Sequence, residues 1–189
     1  MEPEFARCLC VQIETARLVL EPTGARHADA FFAPLQEDAL YQWISTDKPP
    51  SLEWLRARWQ RNETRVAPDG QTAWLAWAVR RQQDGAYLGR VDAEVNNALE
   101  APNLGYYLFV SHWGQGYASE AVTAATQHLI HQGVHRLVAT VTAGNQPSVR
   151  VLQKAGYTFN QLLVGHDVIR GIAVDDEEYV RTVGKSPSE

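Results

Sequence analysis

The sequence predicts an α+β fold built on a mixed central sheet, and three observations carry that expectation. Three alternating segments, "TAWLAWAVRR", "AYLGRVDAEV" and "PNLGYYLFV", follow one another with only short turn signals between them, as antiparallel neighbours do. Ala118, Ala121, Val122, Ala125 and Leu129 then recur at helical spacing. Beyond them strand and helix alternate, through "RLVATVT", "GNQPSVRVLQKAG" and two closing strands. Hairpin-joined strands followed by strand–helix alternation give an α+β domain with a mixed sheet.

Residues 1–11 read as an N-terminal extension, 12–184 as one domain and 185–189 as a C-terminal tail, because no repeat, low-complexity tract or linker divides the chain. "IETARLVLEP" alternates around Leu18 and Leu20 and is expected as the first strand. From Gly24 to Ile44 the pattern turns helical, with "HADAFFAPL" supplying an apolar face. Pro49 and Pro50 stop it, Ser51 is placed as an N-cap, and Leu52, Leu55 and Trp59 share one side of the helix that follows. "QQDG" turns the chain between the first two meander strands. The helix after Gly116 is expected to end at Gly133. The last helix opens on Asn145, holds Pro147 in its first turn and stops at Gly156. "YTFNQLLV" and "IAVDDEEYVRTV" close the domain around a turn at Arg170 and Gly171.

With 189 residues the chain is long enough for one domain with a sizeable core. No apolar run approaches the ~18 residues of a membrane span, and the first apolar run is too short for a signal peptide. A cytoplasmic protein without a membrane partner is therefore expected. Cys8 and Cys10 are the only cysteines. A C-x-C pair with no second pair at finger spacing is a poor zinc site, and a reducing compartment leaves both as thiols. A net charge of -5 argues against a nucleic-acid partner. The charge is unevenly placed, however. Between Glu120 and Asp167 there is no Asp or Glu, while Arg136, Arg150 and Lys154 stand there with His128, His131 and His135. A locally cationic stretch in an acidic chain suits a small polyanion. His128 and His131 lie at i,i+3 without H-E-x-x-H or a nearby carboxylate, so no metal is expected.

That stretch opens with "SHWGQGYASEA". Gly114 and Gly116 stand between a strand and a helix start, where backbone N–H groups can cradle a phosphate. The Walker string G-x-x-x-x-G-K-[ST] is absent. A Rossmann fingerprint needs Gly or Ala at its sixth position, where Ser119 stands instead, and an acid about 20 residues on, which the acid-free interval excludes. Two readings of the glycines remain. One is a pyrophosphate held by consecutive amides at the helix N-terminus, and the other is a turn that only connects.

The strings "GYYLFVSHWGQGYASEAV" and "LVATVTAGNQPSVRVLQKAGY" settle the choice together. They resemble the GNAT superfamily of acetyl-CoA-dependent N-acetyltransferases, and within it the ribosomal-protein N-terminal acetylases. The superfamily pattern [QR]-x-x-G-x-[GA] falls on Trp113 to Ala118, with the Trp that is usual in that branch at its first position. N-x-x-S-x-x-V-L-x-K-x-G-[FY] runs from Asn145 to Tyr157. The resemblance implies a mixed central sheet of about seven strands with about four helices, splayed between strands 4 and 5 and bulged on the fourth. It implies acetyl-CoA as cosubstrate in that wedge. Main chain of Leu108, Phe109 and Val110 would then meet the pantetheine arm. Amides of Gln115, Gly116, Tyr117, Ala118, Ser119 and Glu120 would hold the pyrophosphate, with the Ser119 hydroxyl beside them. Asn145 would touch pantetheine, and Arg150 and Lys154 would approach the phosphates. Without the family, Asn145 reads as an N-cap and the two cations as solvated helix charges.

The implied reaction is attack of a neutral amine on the thioester in a ternary complex. The ammonium, with a pKa near 8 for an α-amine or about 10.4 for lysine, must first lose a proton. The oxyanion needs donors, expected from amides near Phe109 and Val110, and the leaving thiolate benefits from a proton or hydrogen bond. Many family members place a Tyr seven residues after the motif Asn for that purpose. Here the position is Leu152, and Ser148 matches the hydroxyl that the ribosomal-acetylase branch uses. Asp167 matches an acid proposed as base in that branch. Asp92 and Glu94 alternate with Val91, Ala93 and Val95, so both face one side of their strand and are further candidates. Catalysis by orientation without a base is the other reading. Tyr41 and Trp43 are expected to wall the acceptor pocket, with Trp54, Trp59, Trp74 and Trp77 divided between wall and core. The acid outside the cosubstrate stretch suits a cationic acceptor, either a protein N-terminal α-amine or a small-molecule amine. A homodimer is the generic expectation for assembly. A non-catalytic acyl-CoA-binding sensor that kept the cradle and lost the acid is the alternative.

Overall fold

The computed structural model describes residues 1–184, so the tail at 185–189 lies outside the described residues. Two ten-residue strands, β3 (Thr72–Arg81) and β4 (Tyr87–Asn96), form the centre. The alternation read from the sequence holds: Ala73, Leu75, Trp77 and Val79 share one buried cluster with Val91, Ala93 and Val95. β2 (Leu18–Pro22) and the two-residue β1 (Ile13–Glu14) extend this sheet on one side and β6 (Asn103–Leu108) on the other. The order is β1-β2-β3-β4-β6, antiparallel throughout. "IETARLVLEP" is thus two strands and not one. The Thr15 hydroxyl oxygen accepts from the Leu18 amide at 2.9 Å and turns the chain between them.

A second sheet has the order β5-β7-β9-β8, with β5 at Glu100–Ala101, β7 at Arg136–Thr142, β8 at Thr158–Ile169 and β9 at Ile172–Thr182. The pairing of β5 with β7 is parallel, which makes the architecture mixed. Pro102 alone separates β5 from β6. Glu100 and Ala101 pair with Arg136 and Leu137, but beyond Pro102 the chain pairs with β4. β6 and β7 therefore share a root and part above it. That is the expected splay, between the fourth and fifth of the seven long strands. The expected bulge is not on β6, whose register with β4 runs unbroken from Gly89↔Leu108 to Glu94↔Asn103. It sits one strand inward, where Val79 faces Gly89 and Arg80 faces Tyr87, leaving Leu88 of β4 as the extra residue.

Helices cover both faces. α4 (Tyr117–His131) lays the fully buried Ala121, Val122, Ala125 and Leu129 on the inner face, beside α5 (Gln146–Lys154). The first eleven residues join this layer: α1 (Pro3–Leu9) buries Ala6 and Leu9, and Cys10 is buried while Cys8 is exposed. On the opposite face, α2 (Ala28–Phe32) and α3 (Leu52–Arg61) enclose Phe31, Leu55, Trp59 and Phe109. The helical stretch expected over Gly24–Ile44 is broken. Only α2 is α-helical, and 3₁₀ turns at Ala25–His27, Pro34–Gln36 and Asp38–Gln42 flank it. Pro34 has no amide to continue the ladder, and its ring clashes with a preceding turn. α3 starts where expected, with Ser51 Oγ accepting from the Trp54 amide at 3.1 Å.

Candidate active site

The hydrogen-bonding phase of β6 shapes the gap. In an antiparallel pair, alternate residues turn their N–H and C=O toward the partner strand and away from it. The Phe109 amide donates to the Leu88 carbonyl at 2.8 Å. Phe109 and Tyr107 therefore face β4, and the main-chain groups of Tyr106 and Leu108 face the gap. Of the three residues expected to offer main chain to a cosubstrate, Leu108 is turned the right way and the Phe109 amide is already engaged. The Leu108 carbonyl accepts from Trp113 Nε1 at 2.6 Å. Val110 opens a 3₁₀ turn, Val110–His112, so its amide has no partner inside that turn.

At the head of the gap, Gly114 and Gly116 hold φ of 75° and 81°, the left-handed region that favours glycine. Gly116 is the N-cap of α4, and its carbonyl accepts from the Glu120 amide at 3.1 Å. The amides of Tyr117, Ala118 and Ser119 precede that first bond and point out of the helix start. The amide set expected to run to Glu120 therefore ends at Ser119, and Glu120 acts through its side chain. Its carboxylate accepts from Thr15 Oγ1 at 2.6 Å, the Arg17 amide at 2.9 Å and Arg17 Nε at 2.6 Å. Burial pushes this carboxyl up, but the donors from Thr15 and Arg17 outweigh it and hold the group below the usual carboxylate range. Arg17 also donates to the Gln115 carbonyl at 3.2 Å and lies 4.5 Å over the Tyr117 ring. Arg81 stands 5.9 Å from the same ring. Arg17, Arg81, Gln82 and Tyr117 line a hollow of about 330 Å³ beside the helix start. No motif marks Arg17 or Arg81, because the bend before β2 and the end of β3 bring them to α4 from distant parts of the chain.

Across the gap, α5 opens on Asn145, whose Oδ1 accepts from the Ser148 amide at 3.3 Å. The N-cap is met, and Nδ2 remains for other partners. Ser148 Oγ lies 2.6 Å from the hydroxyl of Tyr106, which also reaches the Ser148 carbonyl at 3.1 Å. Loss of water around the Tyr106 hydroxyl pushes that phenol well above its ordinary range, although the bond to Ser148 pulls the other way. Leu152 is fully buried, so the position where the family often places its phenol points into the core. Arg150 and Lys154 are exposed on α5.

Asp92 and Glu94 share a face, as the alternation requires, and it is the face away from Ser148 and α5. Arg90 Nη2 holds Asp92 Oδ1 at 3.0 Å. Asp92 stands opposite Gly105, where a Cβ would lie 3.2 Å from its Oδ2, so the floor of that face is low. Asp167 is half-buried, and its Oδ1 accepts from the Val168 amide at 2.7 Å. Its neighbour His166 is the feature that the motifs did not mark. His166 Nδ1 lies 2.8 Å from Asp176 Oδ2, whose side chain is only 6% exposed. Asp176 pairs in register with Thr142, the last residue of β7. The pair joins β8 to β9, and β9 lies beside the gap strand β7, so a buried carboxylate orients this imidazole one strand away from the gap. Tyr41 is not a pocket wall: it is buried, and its hydroxyl donates to the Leu35 carbonyl at 2.8 Å. Trp59 and Trp77 are also core, Trp54 is exposed, and Trp43 and Trp74 are half-buried.

An α+β fold split along a strand edge, with a glycine-flanked helix start at the head of the split, is the architecture of an acetyltransferase. The chain belongs to the acetyltransferase (GNAT) domain family, whose description matches residues 17–158. It is 32% identical over 151 residues to the probable N-acetyltransferase YjcK of Bacillus subtilis (strain 168), covering 73% of this chain and 82% of that one. Its fold is similar to RimL, the ribosomal L7/L12 alpha-N-protein acetyltransferase, in complex with coenzyme A. That likeness has a TM-score of 0.80 and 22% identity and covers 93% of this chain and 99% of the other. The ribosomal-protein-S5-alanine acetyltransferase from Vibrio fischeri matches with a TM-score of 0.80 and 16% identity, over 93% and 98% of the two chains.

Proposed function

We propose that this protein transfers acetyl from acetyl-CoA to a primary amine by direct attack in a ternary complex. The observation that carries the reading is the main-chain edge of β6 that faces the gap, Tyr106 and the Leu108 amide, leading to the amides at the start of α4. An extended, amide-bearing arm pairs with such an edge, and a diphosphate suits such a helix start. Gln115, Gly116, Tyr117, Ala118 and Ser119 would hold the diphosphate, with Arg17 and Arg81 adding positive charge. The Leu108 amide and Asn145 Nδ2 would hold the pantetheine arm, and the Val110 amide would face the developing oxyanion. Ser148 would donate to the leaving sulfur. Lys154 is placed for a phosphate only by the motif.

The acceptor would be a protein N-terminal α-amine or a small cationic amine. The acidic balance of the chain outside the cosubstrate stretch favours a cation, and RimL is named for an alpha-N-protein acceptor. For the amine proton, the contact of His166 with the buried Asp176 carboxylate favours His166 and the neighbouring Asp167, while Asp92 is already held in an ion pair by Arg90. The test is release of free thiol from acetyl-CoA with a panel of N-terminal peptides, polyamines and amino sugars. Turnover with one class names the acceptor. Tight coenzyme A binding without thiol release for any amine would replace the enzyme by the sensor reading.

A further inference from the structure

We propose that Tyr106 is a positioning residue for Ser148, turning the serine hydroxyl so that its proton is offered to the leaving sulfur in the gap between β6 and β7. The proposal rests on the reading of the protein as an acetyl-CoA-dependent acetyltransferase. The two hydroxyls come from opposite sides of the split: Tyr106 from β6 and Ser148 from the first turn of α5. Their oxygens are 2.6 Å apart.

Counting protons fixes what the pair can do. The phenol has one proton and two acceptors in reach, the Ser148 carbonyl at 3.1 Å and Ser148 Oγ at 2.6 Å. With the phenol proton on the carbonyl, the serine proton points back at the phenol oxygen. With the phenol proton on Oγ, the serine proton must point elsewhere. The Ser148 amide is already held by Asn145 Oδ1, so the backbone cannot swing to follow it. A serine in a first helical turn without such a partner tends to bond a carbonyl of its own chain, which would waste the donor. A phenol is neutral at ordinary pH and keeps its proton, and the shorter of its two contacts, 2.6 Å to Ser148 Oγ against 3.1 Å to the carbonyl, favours that proton on Oγ. The fold thereby supplies from β6 the phenol that α5 lacks, since Leu152 points into the core.

In the transfer step the amine nitrogen bonds to the thioester carbon, and the C–S bond breaks with its electron pair going to sulfur. Ser148 Oγ–H donates to that sulfur while Tyr106 Oη–H donates to Ser148 Oγ. The amine proton passes to a base or to solvent, and the sulfur takes its proton from solvent as the thiol leaves.

The experiment compares wild type, Tyr106→Phe, Ser148→Ala and the double variant by two readouts. The first is the titration of the thiol of bound coenzyme A, followed by the ultraviolet band of the thiolate. The second is kcat and KM for acetyl-CoA. A donor at the sulfur favours the thiolate, so either single change should raise the bound thiol's pKa by about 1 unit, a tenfold loss of thiolate stability. Each should lower kcat about 10-fold or more, with KM within about twofold. The double variant should fall no further than Ser148→Ala, because the two residues act as one unit. Wild-type thiol titration and kcat in a folded Tyr106→Phe protein that still binds coenzyme A would overturn the proposal. So would wild-type titration in Ser148→Ala, or losses that multiply in the double variant. Failure of wild type to bind coenzyme A would overturn the functional reading itself, and the proposal with it.

Discussion

Gly89 shows how one missing Cβ holds the site open. It follows the extra residue Leu88 in β4 and has a φ of 154°. A Cβ there would run into the Tyr107 carbonyl oxygen and would lie 2.7 Å from Leu108 Cα, both backbone atoms that cannot step aside. The alternation that aims Tyr106 and Leu108 at the gap depends on this close approach of β4 and β6. Gly89→Ala should therefore destabilise the fold by about 2 kcal/mol or more, read as a lower urea midpoint, and should weaken coenzyme A binding in calorimetry. A neighbouring change such as Gly85→Ala has no atom to strike, only the strain of its φ of 74°. It should cost about 1–2 kcal/mol without touching affinity.

At the scale of elements, the two helices that flank the gap are held by different devices. α5 is capped by Asn145, whose oxygen serves the helix and whose nitrogen remains for a ligand. Asn145→Ala should cost about 1 kcal/mol of stability. Asn145→Asp keeps the cap oxygen and should leave stability near wild type, yet both variants should lose coenzyme A affinity if Nδ2 meets the pantetheine arm. Calorimetry and thermal melts on the pair separate cap from contact. α4 is anchored by the Glu120 carboxylate on Thr15 and Arg17. Its pKa is depressed on folding, so its contribution is present above the unfolded carboxylate pKa and fades as pH falls through the folded one. Glu120→Gln should be less stable than wild type by about 1–2 kcal/mol near pH 7, with the difference closing below about pH 4. A stability gap that persists unchanged at pH 3 would remove the ionised carboxylate from the explanation.

For the molecule as a whole, the first eleven residues matter more than their place in the chain suggests. Ala6 and Leu9 are fully buried, Cys10 is 4% exposed, and the Val11 carbonyl accepts from Trp77 Nε1 at 2.8 Å in the middle of β3. Removing residues 1–11 should cost about 2–5 kcal/mol and lower the melting temperature. A truncated protein that melts like the full chain would show that α1 adds no stability. His128, which tempts a metal reading in the sequence, belongs to this same packing: its Nε2 lies 2.8 Å from the Leu9 carbonyl.

Local chemistry is what the sequence displays directly. Strand alternation, the helical stripe on α4, the Ser51 and Asn145 caps and the left-handed glycines all depend on residues within a few positions of one another, so their spacing is enough to reveal them. The split sheet, too, followed from motifs that are short and contiguous. The partnerships across the chain could not be read that way. Tyr106 with Ser148, Arg17 with Glu120 and His166 with Asp176 each join separate elements. So does the bond from Phe109 to Leu88 that commits one amide and exposes its neighbours. Which main-chain groups a strand turns outward is a matter of pairing phase, and phase is set only when two strands meet.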